Sequence, residues 1–206
     1  GWEVSALGEV LEIAGGSTPS TKELSFWDGK YWFATPKDLS SAISPILSET
    51  ERKITQNGVN QITSGQLPAG TLLLSSRAPI GYLAITAVPV SINQGFIAVK
   101  KESQLSPYYM YSWCKEYRET IIGHANGTTF LEISKTNFRT IKAIVPSSNL
   151  VDEYDVNVRK IFDFIENNTM ELRSLTLVRD SLLPRLISGE LELSDKDISK
   201  IMEPSK

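Results

Sequence analysis

The sequence predicts an α+β chain: a small domain rich in β-strands, with short helices, followed by one long C-terminal helix that forms a coiled coil. Two observations lead to this prediction. Short apolar runs punctuated by Gly, Pro and Thr fill residues 1–147, and an unbroken heptad pattern extends over residues 151–182. The segment Pro146-Ser147-Ser148-Asn149 separates the two regions and caps a helix. The predicted domains are therefore 1–147, a long helix at 148–188 and a tail at 189–206.

The N-terminal segment, residues 2–13, is interpreted as a short amphipathic helix that ends at Gly15. Its apolar side would be formed by Leu7, Val10 and Leu11. Residues 15–20 contain Gly, Ser and Pro and are expected to form a loop. The Asp28-Gly29 pair lies between aromatic residues and indicates a hairpin or a tight corner.

Three apolar runs in the middle of the domain predict a small β-sheet. They cover residues 71–76, 82–87 and 96–100. The first two are separated by residues 78–81, whose Pro and Gly favour a type I turn.

The last part of the domain predicts one helix and two further strands. Ser106 supplies an N-cap and Pro107 a first-turn proline for a helix that extends to about Ile122, with its aromatic side chains facing the core. Residues 130–133 and 140–145 are expected to be strands.

The heptad region predicts a helix of about 48 Å for 32 residues at about 1.5 Å per residue. Its a and d positions are Val151, Tyr154, Val158, Ile161, Ile165, Asn168, Leu172, Leu175, Arg179 and Leu182. Polar residues at two of these positions penalise wrong registers, and this favours one defined partner helix. The e and g positions are also apolar, at Phe162, Phe164, Val178 and Leu183, which indicates a further docked protein. The alternative is that this face folds back on its own domain.

Composition excludes several classes of site. The one cysteine, Cys114, allows no internal disulfide, and with the one histidine, His124, it cannot form a Cys/His zinc site, so no metal is expected. No apolar run is long enough for a membrane helix. Residues 1–147 carry 13 basic and 12 acidic side chains, so indiscriminate phosphate binding is not expected, although a local basic face is possible.

Arg77, Asn93 and Gln94 are polar residues beside predicted strand ends. Arg matches the O6 and N7 acceptors of guanine, and Asn or Gln matches adenine, so each side chain could read a base. The competing interpretation is that residues of these types satisfy backbone groups at turns. The residues alone leave both possibilities open.

A series of short motifs extends along nearly the whole chain. They occupy residues 15–20, 27–29, 32, 35–39, 73–81, 93–95, 127–130 and 179–184. In this order, and with a long helix at the end, they resemble the specificity subunit of Type I restriction-modification enzymes. The resemblance implies a target-recognition domain that binds DNA, followed by a conserved helix.

A full specificity subunit of that family carries two target-recognition domains and two such helices, whereas this chain has one of each. The resemblance therefore implies a half-subunit that reads one half of a bipartite target, with paired helices setting the half-site spacing. Expected partners are double-stranded DNA, a second copy or second half of the subunit, the methyltransferase subunit and the restriction subunit, in the cytoplasm of a prokaryote. No cofactor is expected in this chain, because S-adenosylmethionine would bind the methyltransferase.

Candidate DNA contacts follow from the motifs and from the variable stretches at residues 40–66 and 101–126. Side chains in the variable stretches are expected to read bases, and others to contact phosphate. The candidates are Lys37, Arg52, Lys53, Arg77, Asn93, Gln94, Lys101, Thr128, Thr129, Lys135 and Arg139.

A catalytic role is not expected. Asp28, Gly29 and Lys30 imitate part of a metal-dependent nuclease motif, but converging carboxylates are missing and a turn explains the pair. The sequence also lacks the motifs of an amino-methyltransferase. The alternative function is a coiled-coil adaptor whose N-terminal domain binds protein and not DNA.

Overall fold

The computed structural model describes residues 2–127 and 131–192. The strands are β1 (Glu3–Ala6), β2 (Ile13–Gly15), β3 (Trp27–Ala34), β4 (Ile46–Leu47), β5 (Arg52–Ile54), β6 (Leu72–Ser75), β7 (Leu83–Thr86), β8 (Val90–Ile92), β9 (Phe96–Val99) and β10 (Lys142–Val145). The helices are α1 (Leu7–Val10), α2 (Pro36–Ser40), α3 (Gln56–Asn60), α4 (Pro107–Glu116), α5 (Arg118–Gly123), α6 (Lys135–Thr140) and α7 (Ser148–Ile187), with a 3₁₀ turn at Leu24–Phe26. The predicted α+β class with a long C-terminal helix is confirmed.

The chain divides into two compact units, residues 1–163 and 164–206. The first unit includes the start of α7, because that part of the helix packs on α4 of the same unit. The division follows packing within this chain, and the domain boundary near residue 147 stays a prediction.

A five-stranded sheet in the order β2-β9-β6-β7-β4 forms the centre of the first unit. All four residues of β6 and of β9 are buried, which explains why both strands are continuous apolar runs in the sequence. The strands predicted within residues 71–76, 82–87 and 96–100 are thus confirmed as β6, β7 and β9.

The connection between β6 and β7 differs from the predicted type I turn. The Gly81 N–H donates to the Ser75 carbonyl at 3.1 Å, and the Ser75 N–H donates to the Tyr82 carbonyl at 2.9 Å. Because Gly81 bonds to Ser75, its N–H does not close a four-residue turn with Ala78. The Ala78–Pro79 peptide is cis, and φ is positive at Ala78 (53°) and Gly81 (106°).

A second sheet has the order β5-β3-β8 and its own small core. The Asp28-Gly29 pair lies inside β3 and forms a bulge where the register with Ile54 shifts; it is not the predicted hairpin or corner. Asp28 has a φ of 57°, and a Cβ on Gly29 would lie 2.4 Å from the Ile54 carbonyl oxygen. The pair therefore bends one strand instead of connecting two.

The predicted N-terminal helix over residues 2–13 is wrong. Only Leu7–Val10 are helical, and they are preceded by β1 and followed by β2. β1 pairs antiparallel with β10, from Glu3 opposite Val145 to Ala6 opposite Lys142. Because this partner strand is distant in the sequence, its hydrogen bonds override the local helical spacing of the apolar residues.

The predicted helix from Ser106 to Ile122 is two helices. The Ser106 hydroxyl caps α4 by accepting from the Tyr109 N–H, as expected. At Tyr117 the backbone leaves helical geometry, with φ −96° and ψ 25°, and the Tyr117 ring stacks on Trp113 at 4.8 Å.

Of the predicted strands near the end of the domain, Lys142–Val145 is confirmed within 140–145. The strand at 130–133 is not formed in its described part: Glu132 makes only isolated bridges, and Phe130 lies outside the described residues.

The aromatic side chains of α4 were expected in the core, but only Trp113 is buried there. Tyr108 and Tyr111 contact Phe162 of α7 edge-on, at ring-centroid distances of 5.1 and 5.2 Å. Tyr109 contacts Tyr154 in the same way at 5.6 Å. The three tyrosines therefore form the contact surface on which the first turns of the long helix pack.

Polar contacts also join α4 to the first turns of α7. The Ser106 hydroxyl donates to the Asp155 carboxylate at 2.5 Å, and Ser112 is 2.6 Å from the Tyr154 hydroxyl. The alternative that the apolar face of the helix folds back on its own domain thus holds for its first part, up to Phe162.

The second unit contains the rest of α7, which ends at Ile187, after Pro184 has been accommodated inside the helix. A turn follows the helix, since the Gly189 N–H donates to the Leu186 carbonyl and Gly189 has a φ of 73°. The boundary between the helix and the tail at residue 188 stays a prediction. Apolar side chains are exposed along this helix at Phe164, Met170, Leu172, Leu175, Leu177, Val178, Leu183 and Ile187. Within residues 2–127 and 131–192, no helix is long and apolar enough to cross a membrane.

Candidate nucleic-acid interface

Several motif loops meet at one edge of the two sheets, called here the strand-end edge. It comprises the ends of β2, β3, β6 and β8 and the loops that follow them, at residues 15–18, 34–37, 75–77 and 92–95. β3 and β8 are parallel, so their carboxyl ends lie together. β2 and β6 both run antiparallel to β9, so they too end on one side, beside Phe96 at its start. The segment between β8 and β9 then joins the two groups.

The loops at the strand-end edge pack closely. A Cβ on Gly16 would lie 1.8 Å from the Ile92 carbonyl oxygen, and one on Gly95 would lie 2.9 Å from Cγ of Pro36. The Thr18 hydroxyl donates to the Gln94 side-chain oxygen at 2.7 Å. These contacts require glycine where one loop crosses another, which gives the motif glycines a structural reason.

Asn93 and Gln94 hold this edge together. The Asn93 N–H donates to the Ala34 carbonyl at 3.1 Å, and its side-chain oxygen accepts from the Gly95 N–H at 2.9 Å. To bind adenine through two hydrogen bonds, Asn93 would need this same oxygen as an acceptor. Gln94 would need its side-chain oxygen, which already accepts from Thr18. The geometry therefore favours the scaffold interpretation for Asn93, while Gln94 remains exposed beside it.

Arg77 follows β6 at the strand-end edge and pairs with Glu132 at 3.6 Å. Both side chains are nearly half exposed, so the ion pair is weak and does not prevent Arg77 from meeting an anion. The neighbouring Ser76 is fixed by its backbone, since its N–H donates to Gly95 and its carbonyl accepts from Ile133.

Lys37 lies in the first turn of α2 and pairs with Glu51 at 2.7 Å. The hydrogen bond to Glu51 and the charge of that carboxylate raise the pKa of Lys37, and the same contact lowers the pKa of Glu51. Both side chains are mostly exposed, so the pair contributes little to stability.

Two cations on β5 lie on tryptophan rings of β3. The Arg52 guanidinium carbon is 3.5 Å from the Trp27 ring centroid, and the Lys53 ammonium is 4.0 Å from that of Trp32. Lys53 is directly opposite Trp32 across the sheet. Arg52 is opposite Phe33, and the Phe33 ring meets Trp27 edge-on at 5.4 Å, which brings Trp27 within reach of Arg52. These aromatic platforms were not predicted from the sequence, although the density of aromatic residues in β3 was a detectable signal for them.

Lys135 and Arg139 lie on α6. The side chain of Lys135 crosses Gly15, where a Cβ would lie 2.7 Å from the ammonium nitrogen, so Lys135 belongs to the strand-end edge. Arg139 reaches the Ile13 carbonyl at 3.4 Å and lies at the beginning of β2.

One lysine, Lys101, is not brought to the strand-end edge. It follows β9, whose first residue borders that edge, so it lies at the other end of the strand. Thr128 and Thr129 lie outside the described residues.

The predicted partner-interface residues separate into two groups. Val151 and Phe162 are buried in the first unit, and Tyr154 and Val158 are partly buried there, while Ile161 is 57% exposed. In the second unit Ile165 is partly buried and the others are exposed: Phe164, Asn168, Leu172, Leu175, Arg179 and Leu182. Arg179 pairs with Asp180 at 2.7 Å.

Comparison with known proteins gives one consistent result. The family model described as Type I restriction modification DNA specificity domain matches residues 1–176. The chain is 36% identical over 171 residues to the type I restriction enzyme MjaIX specificity subunit of Methanocaldococcus jannaschii, covering 81% of this chain and 39% of that protein. It is 27% identical over 197 residues to the HindI specificity subunit of Haemophilus influenzae, covering 93% and 42%. The chain therefore spans about two fifths of the length of these relatives.

Solved structures show the same fold. The HsdS subunit of Thermoanaerobacter tengcongensis has a TM-score of 0.56 at 19% identity, covering 93% of this chain and 46% of that one. The S subunit of a type I restriction-modification system from M. genitalium has a TM-score of 0.53 at 15% identity, covering 97% and 48%.

Proposed function

Since the chain belongs to the Type I restriction-modification DNA specificity family, we propose that it is a non-catalytic reader of one half of a bipartite DNA target. On this proposal it directs an adenine methyltransferase subunit, which binds S-adenosylmethionine, and a restriction subunit to that target. The observation that carries the proposal is the convergence of the motif loops, together with basic side chains, at the strand-end edge.

The charges around this edge suit a sequence reader better than an indiscriminate phosphate binder. Lys37 and Arg77 each have a carboxylate partner, Glu51 and Glu132, so part of their charge is already balanced. Arg52 lies on an aromatic ring, and among residues 2–127 and 131–192 it forms no ion pair, so its N–H donors are not occupied by a carboxylate. Binding would then depend on a good fit between the loops and one duplex sequence more than on net charge.

The exposed apolar positions of the second unit support pairing with another helix. Leu172, Leu175 and Leu182 belong to the heptad seam and are exposed by 51%, 59% and 36%. Pairing would bury them, either against a second copy of this chain or against another half-subunit. A helix of about 48 Å exceeds one duplex turn of about 34 Å, so two readers joined by paired helices would read half-sites separated by a spacer.

The test is selection of duplexes from a random-sequence pool by the full chain, alone and with its methyltransferase subunit. Enrichment of a defined half-site would support the proposal. If no duplex is enriched under either condition, the reader function is wrong and the adaptor alternative gains support.

A further inference from the structure

The guanidinium of Arg52 rests on a platform that cannot easily move. Its central carbon lies 3.5 Å from the centroid of the Trp27 ring, and Trp27 is 6% exposed. The indole N–H of Trp27 donates to the Ser20 carbonyl at 3.0 Å. The same ring meets buried Phe33 edge-on at 5.4 Å. The position and the tilt of the platform are therefore both fixed.

The backbone of Arg52 is fixed as well. Arg52 is paired with Phe33 across the sheet. The buried Thr50 hydroxyl donates to the Arg52 carbonyl at 2.6 Å and accepts from the Phe33 N–H at 3.1 Å. The contact with Trp27 and the fixed backbone restrict the Arg52 side chain before any ligand binds, so less entropy is lost on binding.

Stacking leaves the N–H donors of Arg52 available, because they lie in the plane of the guanidinium and the ring covers only one face. Within residues 2–127 and 131–192, no carboxylate forms an ion pair with Arg52. The adjacent carboxylate, Glu51, is bound to Lys37 at 2.7 Å. Arg52 is thus a positioned, exposed cation whose hydrogen-bonding capacity is not consumed by an ion pair.

The location of Arg52 connects it to the strand-end edge. It is opposite Phe33, the residue before Ala34, and the Ala34 carbonyl accepts from Asn93. A duplex that contacts the loops after β3 and β8 would therefore lie beside Arg52.

We propose that Arg52 is a specificity-determining residue that reads a guanine in the major groove, with two parallel N–H donors on O6 and N7. This inference rests on the proposed function. The fork of arginine matches the two acceptors that guanine alone presents side by side, whereas adenine presents one acceptor and one donor. Lys53, held on Trp32, offers a point charge without that fork and contributes attraction without base choice.

The experiment is random-pool selection with the full chain and its methyltransferase subunit, for the wild type and for R52K, R52Q and K53Q. The wild type is expected to enrich a half-site that contains at least one guanine. R52K and R52Q should lose the preference at one such position by roughly 5- to 100-fold and keep the others. K53Q should weaken all sequences alike and change no preference. Melting temperatures establish that each variant is folded, and R52K retains an aliphatic stem over Trp27.

Three results would overturn the inference alone, each with a wild type that still enriches a defined half-site. One is that R52K and R52Q keep every preference, because Arg52 then only covers Trp27. Another is that they weaken all positions equally, as loss of a phosphate contact would. The third is that the altered position is not a guanine. A folded wild type that enriches no sequence overturns the proposed function, and this inference with it.

Discussion

Gly16 and the carbonyl of Ile92 are in direct contact at the strand-end edge. A Cβ built on Gly16 would lie 1.8 Å from the Ile92 oxygen and 2.6 Å from the Asn93 oxygen. Both obstacles are backbone atoms, which cannot rotate away as a flexible side chain does. The loop after β2 therefore crosses the end of β8 at a distance that only glycine permits.

Gly16→Ala is expected to destabilise the chain by about 3 kcal/mol, because one of the two backbone segments has to shift. Gly123→Ala is the matched control. Gly123 is the last residue of α5, and no atom lies within 4 Å of a Cβ built there. Gly123→Ala should therefore be neutral or should stabilise the chain by up to about 1 kcal/mol. Urea denaturation followed by tryptophan fluorescence measures both. Equal effects of the two substitutions would contradict the crossing.

Phe162→Ala is expected to reduce the free energy of unfolding by about 3 kcal/mol at every protein concentration. Phe162 is 7% exposed and touches Tyr108 and Tyr111 of its own chain. Phe164→Ala removes the same group from a position that is 66% exposed. Its effect should be within about 0.5 kcal/mol in dilute solution and should grow only where chains associate. A concentration-dependent loss for Phe162→Ala would show that the ring is buried by a partner.

These two phenylalanines illustrate how far the fold follows from the sequence. The heptads predict the long helix, and continuous apolar runs predict β6 and β9, because both signals are local. The heptads do not tell which side chains meet their own domain and which stay exposed. The tyrosines of α4 decide that, and their contact with α7 is a property of tertiary packing. The helix predicted for the N-terminal segment is wrong for the same reason, because the pairing of β1 with β10 is also a tertiary contact.

For the candidate site, the sequence identifies most of the basic residues but not their environments. Arg52 and Lys53 acquire aromatic platforms only through the register of β5 against β3. The role of Asn93 in closing the loop before Gly95 also depends on backbone conformation. The sequence shows which chemical groups a residue carries, but it does not show which neighbours in the folded chain already form hydrogen bonds or ring contacts with those groups.

Leu175→Glu is expected to weaken association of the chain by at least 10-fold, because Leu175 is 59% exposed in a heptad d position and would carry a charge into the paired helices. Leu177→Glu is the matched control. Leu177 is 72% exposed but lies outside the a, d, e and g positions, so its substitution should leave association unchanged. Sedimentation equilibrium compares the two. If both variants associate as the wild type does, the heptad seam is not the pairing surface.

Asp155→Asn is expected to make the free energy of unfolding less dependent on pH. Burial raises the pKa of Asp155 from its ordinary 3.8, although the Ser106 hydroxyl opposes the shift. A carboxyl whose pKa is higher in the folded chain stabilises the fold below its unfolded pKa, and that contribution is lost as pH rises through the folded pKa. The stability of the wild type relative to Asp155→Asn should therefore fall as pH rises above about 4.

Urea unfolding of both proteins from about pH 3.5 to 7 measures this difference. Glu153→Gln removes an exposed carboxylate from the same end of α7 and controls for the loss of charge there. A relative stability that rises with pH would show that Asp155 is stabilised as the carboxylate, contrary to its burial against α4.

Lys135→Gln is expected to reduce the salt dependence of DNA binding, and Lys101→Gln is not. Both lysines are exposed, but only Lys135 lies at the strand-end edge, across Gly15. Each phosphate contact contributes about 0.9 to the slope of log K against log salt, so the slope should fall by about that amount for Lys135→Gln alone. Titrations of the selected duplex at several salt concentrations give both slopes. If Lys101→Gln lowers the slope and Lys135→Gln does not, the DNA lies against the other end of β9, and the edge where the motif loops converge has only a structural role.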